Sequence, residues 1–324
     1  MSLLRTIAAA AVAVLPLAGP AAAQDAYPNK PVRMIIPFAP GGPADVIARI
    51  VAQKLSEELG KQFYVESHAG AGGNTGSGLA ARQPADGYSL LITSQALVIN
   101  ASLYKTLPYD TFKDFAPVTR MATTPNVLVV HPDVPARTVK ELVELVRTQH
   151  GKYNSYAQPG IGTPAHLSCE LFKLSQKIDL TTIPFGGGGP MVQSVIAGHT
   201  PIAFSSMPPA APLIQSGRMR ALAVTAEKRV ESLPNVPTMA EAGYPGQLGE
   251  TPVGILVPAG TPKPIIDLLH RKVVQIVAMP DVKQRLAAIG FTPIGDTPAE
   301  FTAFLKSEET KWAKVIGEAG IKLP

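Results

Sequence analysis

The run VRMIIPFAPGGPADVIAR, from Val32 to Arg49, decides how the chain reads. Val32–Pro37 is a short apolar strand, and Gly41-Gly42-Pro43 breaks it. Val46, Ile47, Ile50, Val51, Leu55 and Leu59 then recur at helical spacing and form one apolar stripe. Gly60 stands where a helix C-terminal glycine belongs. A strand feeding a helix through a glycine-proline turn is one half of a βαβ unit, and it predicts a largely parallel sheet with helices on its faces.

The same alternation continues along the chain. Strands are predicted at Phe63–Glu66, Ser89–Thr93, Val127–Val130, Tyr153–Ala157, Leu180–Pro184, Ile202–Ser205, Leu222–Val224 and Gly254–Val257. Helices are predicted at Val139–Thr148, Pro164–Gln176, Pro190–Ala197, Pro264–Ala278, Asp281–Ala288 and Pro298–Ala319. Residues 1–23 read differently. Arg5 precedes an apolar run from Ile7 to Leu17, and Ala21-Ala22-Ala23 offers small residues for a signal peptidase, so cleavage is expected before Gln24 and export to the periplasm follows. The apolar run is short and broken by Pro16 and Gly19, which argues against a spanning helix.

Removing that segment leaves about 300 residues, enough for two domains of ordinary size. The expected division is 24–125 and 228–324 for the first domain and 126–227 for the second. With 16% charged and 46% hydrophobic residues the chain is globular, not disordered. A net charge of +5 without a dense basic run interleaved with aromatics argues against nucleic acid and suits a small anion. The lone cysteine, Cys169, excludes an internal disulfide and reads as a small buried hydrophobe. Neither a GxxxxGK[ST] loop, nor an HExxH helix, nor a GxSxG elbow is present, and Gly70–Gly78 lacks GxGxxG spacing. No enzyme chemistry, metal or cofactor is expected.

Three strands end in similar punctuation: Pro40-Gly41-Gly42-Pro43, Gly160-Ile161-Gly162-Thr163-Pro164 and Gly186–Gly189 before Pro190. Glycine lets backbone approach a ligand, and proline suits the first helical position. The free N–H groups of such a turn, together with the helix dipole, hold a carboxylate without an arginine. Proline also opens other helices of this chain, at Pro262 and Pro298, so the glycines and the preceding strand carry the inference. Asp45 is placed to cap its helix, to pair with Arg49 or to touch ligand, capping being the favoured role. His166 lies in a first helical turn, where it contacts an anion or serves as a structural histidine. Ser94 and Gln95, at a strand end, and Ser205 with Ser206, after another, are further candidates to line a cleft.

The Val32–Arg49 phrase resembles the opening of the tripartite tricarboxylate transporter substrate-binding proteins, the Bug or TctC family. Further matching phrases are Gly70-Ala71-Gly72-Gly73-Asn74, Pro84-Ala85-Asp86-Gly87-Tyr88, Leu107-Pro108-Tyr109-Asp110, Gly162–Leu167, Leu222-Ala223-Val224-Thr225 and Pro258-Ala259-Gly260-Thr261-Pro262. They run in order through nearly the whole mature chain. The resemblance implies a two-lobed periplasmic binding protein of type II-like fold, joined by two crossing segments, with a di- or tricarboxylate or an aromatic acid enclosed between the lobes. It implies membrane partners, one large and one small subunit of a secondary transporter. The receptor itself is expected to be a monomer. Docking of the loaded receptor on a sensor kinase is the alternative partner reading. Carried onto this chain, the ligand-binding positions are Phe38, Gly41, Gly42 and Pro43, with Ala44 beside them, from one lobe. From the other they are Ala157, Gly160, Gly162, Thr163 and His166. Two departures stand out. Ser205-Ser206 occupies a place where many relatives carry an aspartate, which speaks against an amino-acid ligand. Phe185-Gly186 replaces a tyrosine and lysine, which makes the distal pocket less polar.

Overall fold

The computed structural model describes residues 27–149 and 151–321. The expected signal segment and its cleavage before Gln24 lie outside them. Ten strands and eleven α-helices follow one another in these residues. In the first third come β1 (Val32–Ile36), α1 (Pro43–Leu59), β2 (Phe63–Ser67), α2 (Asn74–Ala81), β3 (Ser89–Ser94), α3 (Ala96–Ile99), α4 (Thr111–Asp114) and β4 (Phe115–Val130). The middle holds α5 (Val139–Thr148), β5 (Ser155–Gln158), α6 (Pro164–Gln176), β6 (Thr181–Pro184), α7 (Gly188–Ile196), β7 (Ile202–Ser206), α8 (Met207–Gln215) and β8 (Arg220–Val224). The chain ends with β9 (Glu250–Pro258), α9 (Lys263–Ala278), α10 (Pro280–Ala288), β10 (Thr292–Pro293) and α11 (Pro298–Ala319).

The strand order β2-β1-β3-β9-β4-β7-β5-β6 places two parallel trios at the ends, β2-β1-β3 and β7-β5-β6. Antiparallel β9 and β4 join them. β4 is the hinge beam. Its residues up to Pro125 pair with β9, and from Asn126 to Val130 they pair with β7 and β8. The segment Val127–Val130, which by sequence begins a new strand, is the far half of this one. Register shifts at Pro117/Thr119 and Arg120/Ala122 absorb the bends of so long a strand.

Each half has its own core. In the first, α1 sets Ile47, Ile50, Val51 and Leu55 against β1 and β3, and α9 adds Leu269, Val273 and Ile276. In the second, α5 and α6 pack Leu142, Val146 and Phe172 on Leu128, Tyr156 and Phe204, while α7 and α8 cover the opposite face. The loop after residue 228, expected to return to the first domain, packs on the second core. Val230, Leu233 and Val236 pack with Val127 and Met191, and Met239 is buried beside Leu222, so this loop belongs with the second core. The chain crosses back only at Gly249–Glu250, where β9 begins. At the two crossings Asn126 is a fully buried polar hub. Its amide donates to Ser168, its carbonyl oxygen accepts from the Thr251 hydroxyl, and its backbone exchanges bonds with Thr225.

The last helix straps the halves together. Phe301 and Leu305 pack in the first half against Ile35 and Leu91. Farther along, Trp312 and Ile316 bridge Ile99 of α3 and Leu167 of α6. Its start is a capping box: the Thr297 hydroxyl accepts from the Glu300 amide, and the Glu300 carboxylate accepts from the Thr297 amide, with Pro298 at the first position. Replacing Thr297 by alanine is expected to lower stability by about 1 kcal/mol, read as a shift in the urea midpoint at constant slope.

Candidate functional site

Helix α1 begins at Pro43 with Gly42 as an extended cap that carries no side-chain acceptor. Helix geometry therefore leaves the amides of Ala44 and Asp45 without intrahelical partners. Asp45 does two of the things its position allows. Its carboxylate accepts from the Gly41 amide (3.0 Å) and from Arg49 (2.9 and 2.8 Å). Gly41, at φ 85°, is thus pinned, and its N–H is already used.

Helix α6 repeats the design with a different cap. The Thr163 hydroxyl accepts from the His166 amide and donates to the Gly160 carbonyl (2.6 Å). Two amides of the glycine turn are satisfied internally. Gly160 N–H donates to the Gln158 side chain (2.6 Å) and Gly162 N–H to His166 Nδ1 (3.3 Å). Pro164 has no N–H, so Ala165 is the donor this helix leaves free.

These ends meet in one cavity. It is lined by Phe38, Ala39 and Gly42–Asp45 of the first turn, by Pro159 and Thr163–Ala165 of the second, and by Gly187 and Gly188 at the start of α7. Ser206, the cap of α8, completes the second half's contribution, and Ser94, Thr251 and Val253 close the hinge side. The N-termini of α1, α6, α7 and α8 therefore converge. Each carries roughly half a positive charge, while among the described residues no lysine, arginine or histidine lines the wall. The space open to the centre of a water-sized sphere is about 40 Å³.

The halves touch closely around it. The Ala39 amide donates to the Gly186 carbonyl (2.8 Å). Gly189 sits so close that a Cβ there would overlap the Pro40 carbonyl oxygen, and a Cβ at Gly187 would lie 2.8 Å from the Ala39 nitrogen. On the other flank a Cβ at Gly72 would overlap the Ile161 carbonyl, and one at Gly162 the Asn100 side chain. This is a closed arrangement. Across it, Gly41-Gly42 packs not on Gly160–Gly162 but on Gly188-Gly189, while Gly160–Gly162 packs on Gly72, Asn100 and Leu103. The two expected turns share the cavity through their helix starts instead.

Of the residues singled out from sequence, Phe38, Gly42, Pro43, Ala44, Asp45, Ser94 and Thr163 line the cavity. Gly41, Gly160, Gly162 and His166 stand behind it as supports. Ala157 is buried in β5 within the second core, and Phe185 packs against that core. Ser205 is buried and donates to the Ser206 carbonyl, so the wall residue of that pair is Ser206. Gln95 turns to the opposite face, donating to the Glu250 carbonyl (2.9 Å). Ala165 and Gly188 are not singled out from sequence as ligand-binding, although a place just after Pro164 and within the third glycine run marks each as a helix start. Thr251 and Val253 carry no local mark, because only the pairing of β9 with β3 and β4 brings them in.

His166 is not a cation for the ligand. Burial pushes its pKa down to about 4, against a lesser pull upward from Glu170. The neutral ring accepts from Gly162 through Nδ1, so Nε2 carries the proton. The unfolded chain takes up this proton near pH 6.5 and the folded chain only near 4, so stability falls as pH drops through that window. The His166→Gln variant is expected to lose roughly 3 kcal/mol of this pH dependence, measured as urea midpoints at pH 7 and pH 4. Burial also favours the neutral form of Cys169, which for a thiol is the protonated one.

A larger depression, about 1010 Å³, lies on the reverse face of the hinge. β9 alternates, sending Thr251 and Val253 to the cavity and Glu250 and Pro252 to the depression. The depression carries side chains of both signs, several already paired: Arg120 with Asp296 (2.7 Å), Arg229 with Glu241 (2.8 Å) and Lys311 with Glu308 (3.2 Å). Size favours this depression, but unsatisfied donors of one sign favour the small cavity, and donors decide where an anion sits.

Residues 47–321 match the family described as the tripartite tricarboxylate transporter family receptor, TctC. A protein encoded between tcbD and tcbE in Pseudomonas sp. strain P51 is 38% identical over 97% of this chain and 94% of its own length. BugT of Bordetella pertussis is 36% identical over 96% of each chain. A Rhodopseudomonas palustris protein solved with adipate superposes with a TM-score of 0.88 at 33% identity, covering 91% of this chain and 99% of its own. MatC of the same organism, solved with malate, gives 0.84 at 29%, covering 90% and 100%. Among the described residues no helix is long and apolar enough to cross a membrane. With the family matched along almost its whole length, its two-half α/β fold and a cavity at the junction, the chain belongs to the TctC or Bug family of periplasmic solute-binding receptors, which are not enzymes.

Proposed function

We propose that this receptor captures a small organic carboxylate in the cavity between its halves and hands it to the membrane subunits of a tripartite tricarboxylate-type transporter. Export through a cleaved segment ending at Ala23 would put it in the periplasm. The observation that carries the reading is the convergence of four helix N-termini on a closed cavity with no cationic side chain in its wall. Amides of Ala44 and Asp45 from one half and Ala165 and Gly188 from the other are the donors for one carboxylate. Adipate and malate in the two similar structures support the ligand class.

Binding and closure are coupled. Only when the halves meet do both sets of amides reach one anion, so ligand raises the closed population by its differential affinity for that state. Charge-assisted hydrogen bonds contribute about 1.5–3 kcal/mol each. Three of them, less the cost of ordering, give affinity in the roughly micromolar range. The test is calorimetric titration of the chain from Gln24, freed of co-purified ligand, with organic acids and their primary amides. Acids are expected to bind and their amides to fail. Equal binding of an acid and its amide would remove the anion-binding role.

A further inference from the structure

We infer that the depression on the reverse face of the hinge is the counterpart of the ligand cavity, wide only while the receptor is closed, and that side chains on its two walls set carboxylate affinity without touching the ligand. This rests on the two-half receptor reading and goes beyond it. Two features carry it: where the depression lies, and what its walls lack.

The crossing strands separate the two spaces. β9 sends Thr251 and Val253 to the cavity and Glu250 and Pro252 to the depression, and β4 adds Thr123 and Pro125 to the same floor. One wall of the depression is the second half's segment 225–231. The opposite wall includes Lys283 and Ala287, one turn apart on α10 of the first half. A rotation about strands that lie between two clefts narrows one as it widens the other. With about 40 Å³ on the cavity side and about 1010 Å³ on the reverse side, the structure stands at one end of that motion.

The walls are not tied across the gap. The ion pairs described at the depression are each made within one half: Arg120 with Asp296 and Lys311 with Glu308 in the first, Arg229 with Glu241 in the second. Among the described residues, Glu227, Lys228 and Glu231 on one wall and Lys283 on the other are exposed and enter no ion pair. On the cavity side, by contrast, the halves are bonded directly through the Ala39 amide and the Gly186 carbonyl (2.8 Å). Opening gives up that bond and brings the rear walls toward one another. Exposed ion pairs formed there are weak, so bulk is the stronger lever. A large side chain on either wall obstructs the narrowing that opening requires. Apparent affinity is the intrinsic affinity reduced by the fraction of empty receptor that is closed, so hindering the open form tightens binding with the cavity unchanged.

The experiment compares the wild-type chain from Gln24 with Ala287→Trp and Lys228→Trp, one on each wall. Lys61→Trp, an exposed position just after α1 and outside the depression, is the control. Each protein is unfolded and refolded to remove ligand, and circular dichroism checks the fold. Small-angle X-ray scattering gives the radius of gyration of the empty proteins, and calorimetry with succinate, malate, adipate and citrate gives their affinities. Both wall variants are expected to be more compact than wild type when empty and to bind its tightest acid about tenfold more strongly, while Lys61→Trp matches wild type. A folded wall variant with the wild-type radius or without a gain in affinity overturns the inference, and so does an equal gain in Lys61→Trp. If no acid binds any of the proteins, the carboxylate-receptor reading falls, and the radii alone decide this inference.

Discussion

Gly189→Ala is expected to weaken carboxylate binding by roughly a hundredfold while the protein still folds. Gly189 lies in the first turn of α7 without a left-handed φ, so alanine suits its backbone, and as a helix former it is the better residue there. The penalty arises only on closure, when the new methyl meets the Pro40 carbonyl oxygen of the other half. Backbone cannot step aside as a flexible side chain would. The control is Gly246→Ala, a position with nothing within 4 Å of the added carbon. Circular dichroism and calorimetry on both variants decide the matter. Undiminished affinity in Gly189→Ala would mean that the ligand is bound without the contact of α7 on the β1–α1 turn.

Trp312→Ala is expected to remove about 3–5 kcal/mol of stability. The indole is 5% exposed, fills the cluster between Ile99, Leu167 and Ile316, and donates to Glu308 (2.8 Å). Because α3 belongs to one half and α6 to the other, part of that loss falls on the closed form alone. Two readouts follow. Urea denaturation gives the total, and the ratio of ligand affinities in variant and wild type gives the share that belongs to closure. Trp312 is also the only tryptophan in the chain. Its fluorescence is therefore expected to change on carboxylate addition, and a titration with no change would place this cluster outside the moving interface.

The local grammar of this fold is open to reading because its decisive signals are local. Pro43, Pro164 and Pro298 each open a helix where the free N–H of position one has no acceptor to lose. Gly60 ends α1 in the left-handed conformation that its place after the apolar stripe implies. Pro190 is different: α7 starts at Gly188, and the proline sits third, still within the turn whose amides need no partner. Helix α8 escapes notice because Pro208, Pro209 and Pro212 read as breakers, although the first two fall in its first turn. β4 escapes for a related reason. Pro117 and Pro125 look like interruptions, yet the strand continues past both, one at a register shift and one where its partner changes.

The site shows the same division. Sequence points to the helix starts that supply amides, since glycine, proline and cap residues mark them. It does not say which turn faces which. That depends on how two separately cored halves dock, and the contacts of Gly41 with Gly189 and of Gly162 with Asn100 are products of that docking. The same holds for Ser206 against Ser205. A strand sends neighbours to opposite faces, and only the pairing of β7 with β4 fixes which hydroxyl meets the cavity.

The central claim is that backbone amides at helix starts, not basic side chains, hold the anion. A crystal structure of the chain from Gln24 with its tightest-binding carboxylate tests it most directly. The account predicts carboxylate oxygens at hydrogen-bonding distance from amides of the Ala44–Asp45 turn and of Ala165, with the halves closed as they are here. A carboxylate held instead by Lys228 or Lys283 in the depression on the reverse face of the hinge would contradict it.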